Sequence, residues 1–410
     1  MPSALSECLR PGDHIVVGQA VGEPVGLIAE LFALAPRLET VDLFCGLSLN
    51  PAWEENVPEA LHVTTYLGLG TVRQLVARER ARVVPASLSQ LSSLIASRRL
   101  PVDVVLLQVS PADADGYHSL SCTLDYVWDA AQVARVVVVE VNSKLPMTRS
   151  SHGTGRLHTS RVVVARESDA PLLESPSEEP GEVQQAVARQ VAKLVPDGAT
   201  VQLGIGGLAV AVAGAIKDRR GLKIRSGMVG DWFLDLVDSG AIDTATPDTC
   251  LASLAVGSRR LYGSLSRDGI LGFALPAQLV VPIPGSPFMA INSAIEVDLG
   301  GQVNAEFVGE RYVGTVGGQT DYFRAARRSA GGLAILALPS TTAATRGREA
   351  QSRIVSRCVY VTSAQSDVDV IVTEHGAADI RATTLKERNA LIANIAEPRE
   401  RGALLHGGAQ

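Results

Sequence analysis

The chain has 410 residues, 46% of them hydrophobic, 20% charged and 4% aromatic, with a net charge of -6. A length of that order calls for more than one core, and the composition excludes disordered, collagen-like and coiled-coil chains. Acidic balance, few aromatics and no stripe of Lys and Arg argue against nucleic acid as a partner.

The start, MPSALSECLRPGDH, carries no basic segment leading into an apolar stretch, so it does not read as a signal peptide. No apolar run approaches the roughly 18 residues that span a bilayer; LAVAVAGAI at 208–216 is among the longest. Cys8, Cys45, Cys122, Cys250 and Cys358 are scattered singly, with no CxxC pair. A cytoplasmic protein with no membrane partner is expected.

From Pro11, PGDHIVVGQAVGEPVGLIAELFALA reads as a turn, a short apolar strand, a small-residue turn and an amphipathic helix. PDGATVQLGIGGLAVAVAGAI, from Pro196, repeats that order, and Gly12 and Gly18 map onto Gly198 and Gly204 at one offset of 186. The match predicts a duplicated α/β unit. Apolar runs at 102–109, 134–141, 332–338 and 368–374 predict strands buried on both faces. The fold class expected is α/β: two similar open lobes with mostly parallel sheets, 1–170 and 186–410. The proline-rich acidic stretch 171–185 reads as the linker between them.

In the second half, Gly204, Gly206 and Gly207 belong to GIGGLA, a loose match to the dinucleotide pattern GxGxxG/A. A nicotinamide site also wants an acidic residue closing the next strand, whereas LKIRSG closes with Arg225, Ser226 and Gly227, so no NAD is expected. AINSAIEVDLGGQVNAE (290–306) predicts a hairpin around Gly300 and Gly301, with Glu296 and Asp298 facing water. VGGQTDYF (316–323) places Gly317, Gly318 and Gln319 directly before a helix, where backbone N–H groups can meet a developing oxyanion. VTEHGAADIR (372–381) sets Glu374, His375 and Gly376 at the end of an apolar strand. The seven histidines form no HExxH and no cluster with cysteine, so no metal is expected, and neither GxSxG nor a P-loop occurs.

Taken together, SPADADGYHSL (110–120), VVEVNSKLPMT (138–148), QLGIGGLAVAV, INSAIEVDLGGQVNAE, VGGQTDYFRAARRSAGG, SRIV and VTEHGAADIR resemble the CoA-transferase and acetyl-CoA hydrolase family over nearly the whole chain. The resemblance implies a tandem of two open α/β lobes, coenzyme A entering as an acyl-CoA substrate, and a homodimer. It implies that Gly318 supplies a backbone N–H to the thioester oxyanion and that Glu374 lines the same site. Gly204, Gly206, Gly207, Asn292, Gly317, Gln319 and Gly376 fall in the segments that would meet acyl-CoA.

The family also uses a glutamate nucleophile, in a segment like HTEMFSDG, to form a glutamyl-CoA intermediate. Here the matching stretch is IRSGMVGDWFLDLVDSG: Asp231 and the helix match, Gly227 stands at the nucleophile's position, and no glutamate occurs between Glu182 and Glu296. Ping-pong transfer needs a carboxylate to carry the acyl group and then CoA. The reading is therefore an atypical acyl-CoA enzyme that passes the acyl group directly to water or an external nucleophile, with Glu374 or Asp231 as general base. Gly227 would leave space for water or a bulkier second substrate. Two alternatives stay open: carbon–carbon cleavage or formation on a β-keto acyl-CoA, and acyl-CoA binding without chemistry.

Overall fold

The computed structural model describes residues 4–38, 40–55, 57–266, 269–344 and 349–407. The chain divides into two compact units. One comprises Met1–Pro176, Cys250–Leu279 and Arg311–Gly317; the other comprises Ser177–Thr249, Val280–Glu310 and Gly318–Gln410.

The first unit is built on seven strands: β1 (His14–Val17), β2 (Val41–Phe44), β3 (Leu61–Thr65), β4 (Ala81–Val83), β5 (Val104–Val109), β6 (Val136–Asn142) and β7 (Val163–Ser168). They lie in the order β4-β3-β2-β1-β5-β6-β7, and every pairing is parallel. Alternate residues of a strand share a face, so Ile15 and Val17 join Leu43, Val63 and Leu106 in one core with Leu27, Ile28 and Leu31 of helix α1 (Val25–Leu34). Each such burial contributes about 1.5–3 kcal/mol. All six residues of β5 are buried, as its unbroken apolar run demands.

Six strands order the second unit: β8 (Thr200–Gln202), β9 (Lys223–Val229), β10 (Phe288–Asn292), β11 (Leu333–Ala337), β12 (Val370–Thr373) and β13 (Gly376–Asp379). Their order is β9-β8-β10-β11-β12-β13, parallel except for the closing hairpin of β12 with β13. The helices used below are α2 (Glu182–Ala192), α3 (Gly207–Ala215), α4 (Trp232–Asp238) and α5 (Gln319–Arg328).

The two sheets share one topological rule. In the first unit the chain passes from β1 to β2 on one side and from β5 to β6 on the other; in the second, β8 leads to β9 and β10 to β11 in the same manner. The direction of winding thus reverses between β1 and β5, and between β8 and β10. In open sheets of this kind a ligand crevice forms beyond the carboxyl ends of the strands at that reversal.

Three outcomes differ from the sequence expectation. Helix α2 begins inside the expected linker, because Gln184 Oε1 accepts the Gly181 N–H at 2.9 Å and caps the first turn while Val187, Ala188, Val191 and Ala192 are buried. The expected hairpin forms between Glu296–Asp298 and Val303–Asn304, yet Asp298 is buried instead of facing water. Its carboxylate accepts the N–H groups of Gly300 and Gln302, both at 2.9 Å, and of Cys358 at 3.1 Å, and so holds the turn. Cys250–Leu279, which follows the expected linker, clusters with the first unit. There it exchanges backbone hydrogen bonds, Leu124 N–H to Ser253 O at 2.7 Å and Ala255 N–H to Cys122 O at 3.0 Å.

Candidate functional site

The second unit collects its chemically equipped residues along the carboxyl edge of one sheet. Gln202 closes β8 and Asn292 closes β10, the neighbouring strands at the winding reversal. Their amides pair in both directions: Asn292 Nδ2 donates to Gln202 Oε1 at 2.7 Å and Gln202 Nε2 donates to Asn292 Oδ1 at 3.2 Å. Beyond β8 the chain turns through Gly204, Ile205 and Gly206 into α3, whose N-cap is Gly206. Open space surrounds the positions where Gly204 and Gly206 would carry a Cβ, whereas a Cβ on Gly207 would lie 2.9 Å from the Gln184 amide of α2. Gly204 and Gly206 thus border open volume, and Gly207 permits two helices to approach.

Two side chains tie this turn to the next strand and helix. The Ser226 hydroxyl donates to Leu203 O, and the Trp232 indole N–H donates to Gly204 O at 3.0 Å. Gly227 is therefore a buried residue of β9 beside the glycine-rich turn, and Asp231 takes the N-cap position of α4.

The GGQ turn is built differently. Gly317 directs its N–H to Thr315 Oγ1 at 3.1 Å, so that donor is satisfied within the first unit. Gly318 is the N-cap of α5, and no acceptor among the described residues takes its N–H. The side chain of Gln319 turns inward: its Nε2 donates to Ser293 O at 2.8 Å and its Oε1 accepts from the Ser363 hydroxyl at 2.8 Å. Ser363 also lies 3.0 Å from the Thr320 hydroxyl. Gln319 thereby fastens the start of α5 to the residue that follows Asn292, and the Gly318 N–H stands at the positive end of a helix dipole.

Glu374 and His375 form the two-residue tip between β12 and β13, with Thr373 opposite Gly376 in the antiparallel register. Gly376 has φ +143°, a conformation that side chains other than hydrogen disfavour, which is why this tight turn ends on glycine. The Glu374 carboxylate receives two donors from one residue, the Ser340 N–H at 2.9 Å and the Ser340 hydroxyl at 2.6 Å. His375 Nε2 lies 3.6 Å from Glu374 and 3.5 Å from Glu397. Arg353 contributes a positive charge: burial pulls its pKa below the usual guanidinium value, and the Glu374 charge pulls it back.

Direct hydrogen bonds thus join Gln202 with Asn292, Gln319 with Ser293, Ser226 with Leu203, Trp232 with Gly204, and Ser340 with Glu374. Of the residues described in this site, Gln202, Ser293, Trp232, Ser340 and Ser363 carry no expectation from the sequence. A polar residue closing or directly following an apolar strand, as in TVQ and LALPS, is the signal that marks Gln202 and Ser340. Ser363 has no such mark. Among the described residues no group of three or more His, Cys, Asp or Glu is placed to hold a metal, and no helix is long and apolar enough to cross a membrane. Chemically, the edge offers an unclaimed N–H at a helix start and a fixed carboxylate, the elements of acyl transfer.

Known proteins match nearly the whole of this chain. The N-terminal domain of acetyl-CoA hydrolase/transferase matches residues 2–165, and the C-terminal domain of the same family matches residues 281–407. A 4-hydroxybutyrate coenzyme A transferase of Clostridium kluyveri is 33% identical over 96% of this chain and 93% of its own length. An acetyl-CoA hydrolase of Neurospora crassa is 28% identical over 71% of this chain and 62% of its own length. Among solved structures, RipA from Yersinia pestis superposes with a TM-score of 0.87 at 27% identity, covering 97% of this chain and 94% of that one. A 4-hydroxybutyrate CoA-transferase from Porphyromonas gingivalis gives 0.80 at 28% identity, covering 98% and 95%.

Proposed function

The chain belongs to the acetyl-CoA hydrolase/transferase family and is an acyl-CoA transferase/hydrolase-like enzyme, and on that premise we propose that it works without a glutamyl-CoA intermediate. The acyl group of an acyl-CoA passes directly to water or to an external nucleophile. One observation supports this reading: in IRSGMVGDWF, the stretch that resembles the family's HTEMFSDG segment, Gly227 stands where that segment has glutamate, and no glutamate lies between Glu182 and Glu296.

The steps follow from what remains. The thioester carbonyl oxygen approaches the Gly318 N–H, whose place at the start of a ten-residue helix supports stabilisation of the developing negative charge. Glu374 takes the proton of the attacking O–H as the new carbon–oxygen bond forms. The carbon–sulfur bond then breaks, and coenzyme A leaves as the thiolate and collects a proton. Asp231, at the head of α4, is the other carboxylate available for the base. Gly204 and Gly206, which border open space, suit the passage of the bulky CoA chain.

The test is thiol release from a broad panel of acyl-CoAs, with water alone and with added amines, alcohols or carboxylates, alongside mass spectrometry of enzyme quenched in mid-turnover. Release of CoA from enzyme that carries no CoA adduct is the expected result. An enzyme inert toward the whole panel, or a covalent CoA adduct on a carboxylate, would sink the reading. Gly227→Glu is expected to gain CoA transfer to acetate, and Glu374→Gln to lower kcat by about 10²–10⁴-fold.

A further inference from the structure

A glutamate at the tip of a two-residue turn has several rotamers within reach, and a general base is effective only when its oxygen is held where the proton will be. Ser340 meets that need. Its N–H reaches Glu374 Oε2 at 2.9 Å and its hydroxyl reaches Oε1 at 2.6 Å. One residue that engages both oxygens fixes the plane of the carboxylate as well as its position, through two charge-assisted bonds.

The placement comes from the sheet. Ala337 pairs with Val372, so Ser340 and Glu374 leave neighbouring strands side by side. Ser340 is itself fully buried, and its carbonyl accepts the Arg353 N–H at 2.8 Å, which anchors it from the opposite side. The other ionisable side chains near the carboxylate are His375, which also lies near Glu397, and Arg353. His375 stands at 3.6 Å, beyond a firm hydrogen bond, so Ser340 is the partner that orients Glu374.

We infer that Ser340 is a positioning residue, holding the Glu374 carboxylate in one orientation for proton abstraction. The inference rests on Glu374 acting as general base, as proposed above. A cycle of Ser340→Ala, Glu374→Gln and the double variant tests it, with kcat and KM measured on the acyl-CoA that the wild type turns over fastest. Ser340→Ala is expected to lower kcat about tenfold or more, with KM within about twofold, because a hydrogen bond to a charged group is lost from the reacting state. Ser340→Thr restores most of kcat. In the Glu374→Gln background, Ser340→Ala has no further effect, since a residue that acts through another is silent when that other is gone.

An unchanged kcat in Ser340→Ala, a loss confined to KM, or full additivity in the cycle overturns the Ser340 role while leaving Glu374 intact. A Glu374→Gln enzyme with wild-type kcat, or a wild type inert toward every acyl-CoA, overturns both. If Ser340→Ala does not fold by circular dichroism, Ser340→Cys keeps the volume with a weak donor and faces the same criteria.

Discussion

The glycine turn occurs twice in this molecule, and the two copies have different surroundings. Gly12 and Gly198 keep the same backbone, with φ +79° and +71°. Six residues later the copies part. After β1, a Cβ on Gly18 would lie 2.1 Å from Gly22 O, and Gln19, Ala20, Val21 and Glu23 are all buried. The Gln19 amide donates to Asp125 at 2.7 Å and accepts from the Leu47 N–H at 2.9 Å and the Tyr66 hydroxyl at 3.0 Å. Glu23 accepts from Asn50 at 2.9 Å and Trp53 at 2.8 Å. After β8, by contrast, Gly204 and Gly206 border open space, and Ile205 is exposed. One copy is packed with polar side chains, and the other borders open space. Repetition of a sequence pattern therefore preserves the turn without preserving its surroundings, since those depend on what distant segments insert there.

The strongest way to break this comparison is Gly18→Ala. The added methyl group meets backbone oxygen rather than a movable side chain, so unfolding in urea should register a loss of about 2–4 kcal/mol. A loss below about 1 kcal/mol would mean that the first turn is no more crowded than the second.

Glu23→Gln sharpens the comparison through pH. Burial pushes the Glu23 carboxyl up to about 7 from 4.5, against the hydrogen bonds from Ser48, Trp53 and Asn50 that pull it down. The folded value lies above the unfolded one, so the stability from the neutral acid is complete below about pH 4.5 and fades as pH rises through about 7. Asp125, raised by burial to about 6, acts in the same direction. Glu23→Gln should therefore be more stable than the wild type at pH 8 by about 1–3 kcal/mol and converge with it near pH 4. Melting curves across that range check the convergence. Parallel curves would show that Glu23 is not buried as described.

The smallest effect belongs to Gly204→Ala. Nothing lies within 4 Å of the added Cβ, and the stability change should stay below about 0.5 kcal/mol. If the CoA chain passes this turn as proposed, a rise in KM for acyl-CoA with unchanged melting is expected, because the methyl group would enter that open space. Unchanged KM would remove this turn from the proposed binding surface.

Local pattern carried much of the architecture. The apolar runs at 102–109, 134–141, 332–338 and 368–374 became β5, β6, β11 and β12, because an unbroken apolar stretch of that length has nowhere to go except a strand covered on both faces. The glycine offset of 186 announced the repeated strand-turn-helix, and the motif VTEHG announced the strand end at which Glu374 stands. Tertiary structure alone decided which polar groups meet. Gln202 and Asn292 are 90 residues apart and Ser340 and Glu374 are 34 apart, yet each pair closes adjacent strands. The return of Cys250–Leu279 to the first unit and the burial of Glu23 and Asp125 belong to the same class. Periodicity reports how a segment satisfies its own backbone and apolar side chains. The partner of a buried polar atom is chosen by strand order, and strand order is settled only when the whole sheet assembles.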